Sequence, residues 1–178
     1  IDEVSGIGHI RGMECEDASQ RFGVTIMLPA GSDGYLRRMD PQQLAERVAA
    51  RMYDHDPFSI WLGIERVEVV PGRCVLRMVV REEMMNGFAI AHGGITYSLA
   101  DSALAFASNS HGIQAVSVET SITHTRPVQA GDVLTATSEE LNRPTRFATY
   151  QITITDQAGK GVAFFKGTVF RTGTLWEI

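Results

Sequence analysis

The chain has 178 residues, 44% of them hydrophobic and 21% charged, which suits one soluble domain large enough to bury a substantial core. Sixteen Lys and Arg against 21 Asp and Glu leave a net charge of −5, which argues against a general nucleic-acid binder. No apolar run approaches the roughly 18 residues that span a bilayer and no signal-peptide pattern opens the chain, so a cytoplasmic protein with no membrane partner is expected.

Residues 1–38 read as an N-terminal extension of unknown role, and residues 39–178 as the folded domain. The first segment scatters glycines among charges, with one apolar run, Phe22 to Leu28, that fits a strand. Gly6, Gly8 and Gly12 imitate a dinucleotide loop but lack its spacing and a preceding strand. Met39 offers an alternative start, and the first residue, Ile1, points to a processed or imposed boundary. Cys15 and Cys74 have no metal-ligand spacing and read as two buried thiols in a reducing compartment.

Asp40-Pro41 supplies a side-chain cap and a first-turn proline, so a helix is expected to follow. Leu44, Val48, Ala49 and Met52 share one face of it, and it ends near Asp54. Asp56-Pro57 repeats the opening for one apolar turn closed by Gly63, in which Phe58 and Trp61 read as core before they read as ligand contacts. From Ile64 the period changes to two. Ile64 to Val70, a Pro71-Gly72 turn, and Cys74 to Val80 form a hairpin, and a loop from Arg81 to Ala91 follows.

Gly93 and Gly94 then open a helix carrying Ile95, Leu99, Leu104 and Phe106 among alanines, as far as Ser108-Asn109-Ser110. A helix with almost no charge on any face belongs in the interior. Its one charge is Asp101, and a carboxylate in such a helix needs partners or a job. Four strands are expected after it: Ala115 to Thr125, Asp132 to Leu141, Phe147 to Thr155, and Gly161 to Arg171 after a turn at Asp156 to Gly159. Strands flanking one long apolar helix give an α+β layer arrangement, an antiparallel sheet wrapped around that helix.

The helix opening suggests chemistry. The first amides of a helix lack intrahelical acceptors, so the Gly93 N–H can serve as an oxyanion donor, with Gly94 beside it against the substrate. Asp101 lies eight residues on, roughly 12 Å along the axis, too far for both groups of one chain to act on one carbonyl. Two such helices packed antiparallel about a two-fold axis would bring the groups together, so the site is expected between subunits. His92 could contact the carbonyl or orient the loop, and Asn86 could donate an amide hydrogen bond or only make an Asn-Gly turn. His111 and His124 lack the spacing of a metal pair, and no Gly-x-Ser-x-Gly elbow occurs.

Asn86-Gly87, His92-Gly93-Gly94, the run Ser98-Leu99-Ala100-Asp101, Asn109-Ser110, and Arg126-Pro127 with Ala130-Gly131-Asp132 resemble the hotdog-fold acyl-CoA thioesterases. The nearest subgroup is the phenylacetate-degradation (PaaI-type) one, and the match runs from about Asp56 to Gly173. The resemblance implies hydrolysis of an acyl-CoA thioester, phenylacetyl-CoA or a ring-hydroxylated relative. It makes coenzyme A substrate rather than cofactor, calls for no metal, and implies a homodimer as the minimal active unit within a homotetramer. It also implies that Asn86 helps hold or activate water and that Ser117 orients water beside Asp101, with Asp101 and Ser117 coming from the partner subunit. Asp101 would act as general base or as nucleophile. Arg126, Arg143 and Arg146 have the geometry for coenzyme A phosphates, against the alternative of solvated surface residues. Phe88, Tyr97, Phe58 and Trp61 are candidates for an aryl-acyl pocket, against core packing. Two other functions are a non-catalytic acyl-CoA sensor and an (R)-specific enoyl-CoA hydratase. Asp101 disfavours the sensor, and the missing Asn-Pro-x-His segment disfavours the hydratase.

Overall fold

A computed structural model describes residues 39–178. The expected strand at Phe22 to Leu28, Cys15 and the glycines at 6, 8 and 12 lie outside the described residues.

The two short helices form as their caps predict. In α1 (Pro41–Tyr53) the Asp40 carboxylate accepts the Gln43 N–H at 3.1 Å, and Ala45, Val48 and Ala49 are buried. In α2 (Pro57–Leu62) the Asp56 carboxylate accepts from the Phe58 and Ser59 amides, and Gly63 closes the turn at φ +73°. That left-handed angle explains the glycine. The expected core role of Phe58 and Trp61 is not met: they are stacked on each other at 5.9 Å and about half exposed. A six-residue helix has room to bury one face only, and here Ser59 and Leu62 occupy it.

Six strands follow: β1 (Glu65–Val70), β2 (Arg73–Val79), β3 (Ile113–His124), β4 (Val133–Asn142), β5 (Phe147–Thr155) and β6 (Gly161–Leu175). They form one antiparallel sheet in the order β1-β2-β4-β5-β6-β3. A short 3-10 turn, Glu82–Met84, interrupts the expected loop after β2. The last strand runs four residues beyond its expected end at Arg171, because a bulge lets the pairing resume at Ile113 with Leu175.

The long helix α3 (Gly93–Asn109) lies against this sheet. A row of cross-strand neighbours, Leu76, Ala136, Ile154 and Ala163, runs under it, with Leu99, Leu104 and Phe106 supplying the helix side. Each fully buried large apolar side chain of this set stabilises the fold by about 1.5–3 kcal/mol. At Gly167 a Cβ would sit 2.4 Å from Leu104 Cδ2, so helix and sheet meet there because glycine leaves the room.

The helix is not buried on all sides as its composition suggests. Tyr97, Ser98, Asp101, Ser102 and Ala105 form a half-open stripe at helical spacing. At the far end the side chain of Asn109 is a hub. Its Nδ2 donates to the Ala105 and Ala115 carbonyls, while its Oδ1 accepts from the Ala115 amide and Trp176 Nε1.

Candidate active site

At the start of α3 two imidazoles pack closely against the two glycines. His92 is the N-cap, and its Nδ1 accepts the Gly94 N–H at 2.9 Å. In the neutral ring the proton therefore sits on Nε2, which is left as a donor. A Cβ on Gly94 would stand 3.0 Å from that Nδ1, and one on Gly93 would stand 3.3 Å from Cε1 of His124. The Ile95 N–H folds back on the His92 carbonyl at 2.8 Å. Among the described residues the Gly93 N–H has no acceptor, and Gly93 is partly exposed. A free amide at a helix tip is suited to an oxygen gaining negative charge.

Thr96 secures this end from below. It is buried, its hydroxyl donates to the Gly93 carbonyl at 3.0 Å, and it lies 2.7 Å from His124 Nε2. One hydroxyl proton serves one acceptor, so His124 Nε2 is the donor in the second contact. The spacing of His92, Thr96 and His124 gave no sign of this chain, because it joins residues 28 apart.

Asn86 heads the loop before the helix. Its Oδ1 accepts the Phe88 N–H at 2.8 Å, and the Asn86 and Ile90 backbones pair across a tight turn. Ala89 takes φ +56° inside that turn, a left-handed angle that costs a non-glycine residue strain. The Asx turn occupies the Asn86 oxygen and leaves its NH₂ group as a donor. The turn reading of Asn86 is met, and it does not use the NH₂ group that the donor reading needs. Phe88 stands at the loop tip, 87% exposed.

Asp101 lies in the middle of the half-open stripe. Burial pushes its pKa up from the usual Asp value, and no described residue donates a hydrogen bond to it. It borders two adjoining hollows. One, of about 170 Å³, is walled by Phe58, Tyr97 and Phe106, with the Asp56 cap alongside. The other, of about 50 Å³, has Ser117 and Ala115 on its far wall. That volume is enough for a water molecule. A polar network of Asp56, Ser59 and Ser102 backs the helix there, with Ser59 Oγ 2.6 Å from Asp56 and 3.1 Å from Ser102 Oγ.

The Thioesterase superfamily profile matches residues 88–163. The acyl-coenzyme A thioesterase PaaI of Escherichia coli is 40% identical over 125 residues, covering 70% of this chain and 89% of that protein. The chain belongs to the thioesterase superfamily. The solved structure of E. coli PaaI, from the phenylacetic acid degradation operon, superposes with a TM-score of 0.75 at 38% identity, over 76% of this chain and 99% of that one. Human acyl-coenzyme A thioesterase 13 is 32% identical over 103 residues, 56% of this chain and 74% of that protein. The smu.793 protein of Streptococcus mutans, solved with acetyl-CoA bound, superposes at 0.62 with 26% identity over 64% of this chain and 91% of that one. The fold is the hotdog, and the chain is a thioesterase of that superfamily.

In this thioesterase the sequence-predicted residues fall into separate groups. Asn86 and Phe88 lie in the loop before α3, His92, Gly93 and Gly94 form its tip, and Arg126 is exposed just past the end of β3, two residues beyond His124. Tyr97, Asp101 and Ser117 meet along the stripe, where the Tyr97 hydroxyl bonds Thr120 and its ring packs edge-on against Phe165 at 5.4 Å. Arg143 and Arg146 lie with the β4–β5 loop, where Arg143 Nε donates to Glu140 at 3.0 Å. Among the described residues no three His, Cys, Asp or Glu side chains converge as a metal ion requires.

Proposed function

We propose that Asp101 is the general base of the hydrolysis and that the Gly93 N–H of a second protomer polarises the thioester carbonyl. The observation that carries this reading is a half-buried carboxylate without a partner among the described residues, bordering a hollow that it shares with Ser117. Desolvation makes Asp101 a better base than an exposed aspartate, and Ser117 Oγ can orient the water between them. Attack on the carbonyl carbon passes the water proton to Asp101 as negative charge builds on the oxygen. The Gly93 amide meets that charge, with Asn86 NH₂ and His92 Nε2–H as neighbouring donors. The thiolate of coenzyme A leaves and is protonated, so coenzyme A is substrate and no cofactor is retained.

Two features favour a site built by two chains. Gly93 and Asp101 stay roughly 12 Å apart along one helix. β3 is an edge strand of 12 residues whose Val116 and Val118 are each 54% exposed, a surface that invites a second copy. A homodimer is thus the active unit, and two dimers make the tetramer. The aromatic wall of Phe58, Tyr97 and Phe106 suits an aryl-acetyl group such as phenylacetyl or its ring-hydroxylated form. The cytoplasm suits the buried free thiol of Cys74. Asp101→Asn should keep acyl-CoA binding and lose nearly all free-thiol release across aryl and aliphatic acyl-CoAs. Unchanged turnover would remove the base, and wild-type binding without turnover would make the protein a sensor.

A further inference from the structure

The tip of α3 aims one amide with the two most pliant residues of the helix. Gly93 and Gly94 carry no Cβ, so sterics alone leave the peptide that bears the free N–H loosely aimed. The restriction comes from outside them. On the N-terminal side the His92 amide donates to the Met84 carbonyl at 2.9 Å, and the His92 imidazole takes the Gly94 N–H. On the C-terminal side the Gly93 carbonyl accepts the Thr96 hydroxyl at 3.0 Å. The peptide between His92 and Gly93 is thereby held from both flanks.

The Thr96 hydroxyl has one proton and two acceptors within reach, the Gly93 carbonyl and His124 Nε2, the latter at 2.7 Å. His124 sets the direction. With its proton on Nε2 the imidazole donates to Thr96 Oγ1 and turns the hydroxyl towards Gly93; with the proton on Nδ1 it would draw the hydroxyl away. The same ring lies against Gly93, where a Cβ would stand 3.3 Å from Cε1 and 3.6 Å from Nε2. His124 is fixed in turn by β3, on which it pairs with Ala163 of β6. Among the described residues it joins no metal cluster, and Thr96 is the side chain its ring bonds.

We propose that Thr96 and His124 are positioning residues of the hydrolysis. Acting through Gly93, they keep its N–H on the carbonyl oxygen while charge builds there, and neither touches the substrate. A donor displaced by about 1 Å can cost on the order of a hundredfold in rate. The proposal rests on the reading above, in which the Gly93 amide polarises the thioester.

Thr96→Val keeps the shape of the side chain and removes the hydroxyl, while His124→Phe keeps a ring against Gly93 and removes its N–H. Each should lower kcat on phenylacetyl-CoA about tenfold with KM unchanged, and the double variant should fall no further. Thr96→Ser, which retains the hydroxyl, should keep kcat near the wild-type value. His124 is exposed, so its variant tests the brace even where a buried valine disturbs packing. The readout apart from rate is the infrared stretch of an isotope-labelled thioester carbonyl bound to the Asp101→Asn protein. Its frequency should drop below that of free acyl-CoA; adding Thr96→Val should return most of the drop, and adding Thr96→Ser should not. No drop in Asp101→Asn alone would overturn the Gly93 reading and the brace with it. A full drop that survives Thr96→Val, or a loss that falls on KM or that also appears in Thr96→Ser, would overturn the brace alone.

Discussion

Helix α3 handles its polar groups differently at its two ends. At the C-terminal end the Asn109 side chain is bonded to Ala105, Ala115 and Trp176, Ser110 bonds both the Ala107 carbonyl and the Gly72 amide, and His111 bonds Glu140 at 2.7 Å. At the tip and along the stripe, the Gly93 N–H and the Asp101 carboxylate have none among the described residues. A buried polar group left unpaired costs about 1–3 kcal/mol, so the paired end holds the fold, whereas the Gly93 amide and the Asp101 carboxylate are only partly buried and stay open to solvent. In this contrast the polar residues of one helix divide into those that hold the fold and those that the proposed chemistry would use.

The largest effect should come from Asp101→Asn, which removes the unpaired charge. We expect kcat to fall about a thousandfold while the melting temperature holds or rises, because an uncompensated carboxylate is lost. A falling melting temperature would mark Asp101 as a structural group after all. Gly93→Pro is the next. Proline is tolerated at a first helical position, and His92, at ψ 133°, already has the conformation that precedes one. The change deletes the free N–H, so steady-state kinetics should show kcat down about a hundredfold in a folded protein. Asn109→Ala attacks the opposite end. Chemical denaturation should show a loss of about 3 kcal/mol, with activity per folded molecule unchanged.

A smaller effect separates the ends by pH. Glu140 sits among three donors, Tyr150, His111 and Arg143, which outweigh its burial and hold its pKa below the usual value, while burial depresses that of His111. Groups with depressed folded pKa values lose their stabilisation as pH falls through the histidine and then the carboxylate range. Asp101, with its pKa raised, runs the other way: its cost grows as pH rises through its own range and disappears below it. The urea midpoint should therefore drop on acidification, and drop further in Asp101→Asn. The activity should show an acid limb centred above the ordinary Asp value, absent from the residual rate of that variant.

Much of the frame was legible because it is local. The capped helices, the strand periods and the charge-poor helix with a lone Asp101 all lie in short windows of sequence. Contacts across the chain were not legible. That Thr96 and His124 brace the Gly93 carbonyl, or that Arg171 faces Arg146, depends on which strands become neighbours. Phe58 and Trp61 misled because composition cannot say which face of a one-turn helix meets the core. The open stripe of α3 was hidden for a related reason, since an apolar helix reads the same whether its own sheet or another chain covers it.

The central claim is that each site draws one half from each of two chains. Gly93→Pro and Asp101→Asn proteins, each nearly inactive, can be unfolded, mixed in equal amounts and refolded together. Random pairing makes half the dimers mixed, each with one intact site, so the account predicts recovery of about a quarter of wild-type thioesterase activity. Recovery of none, with mixed dimers demonstrated by mass, would contradict it and place the whole site within one chain.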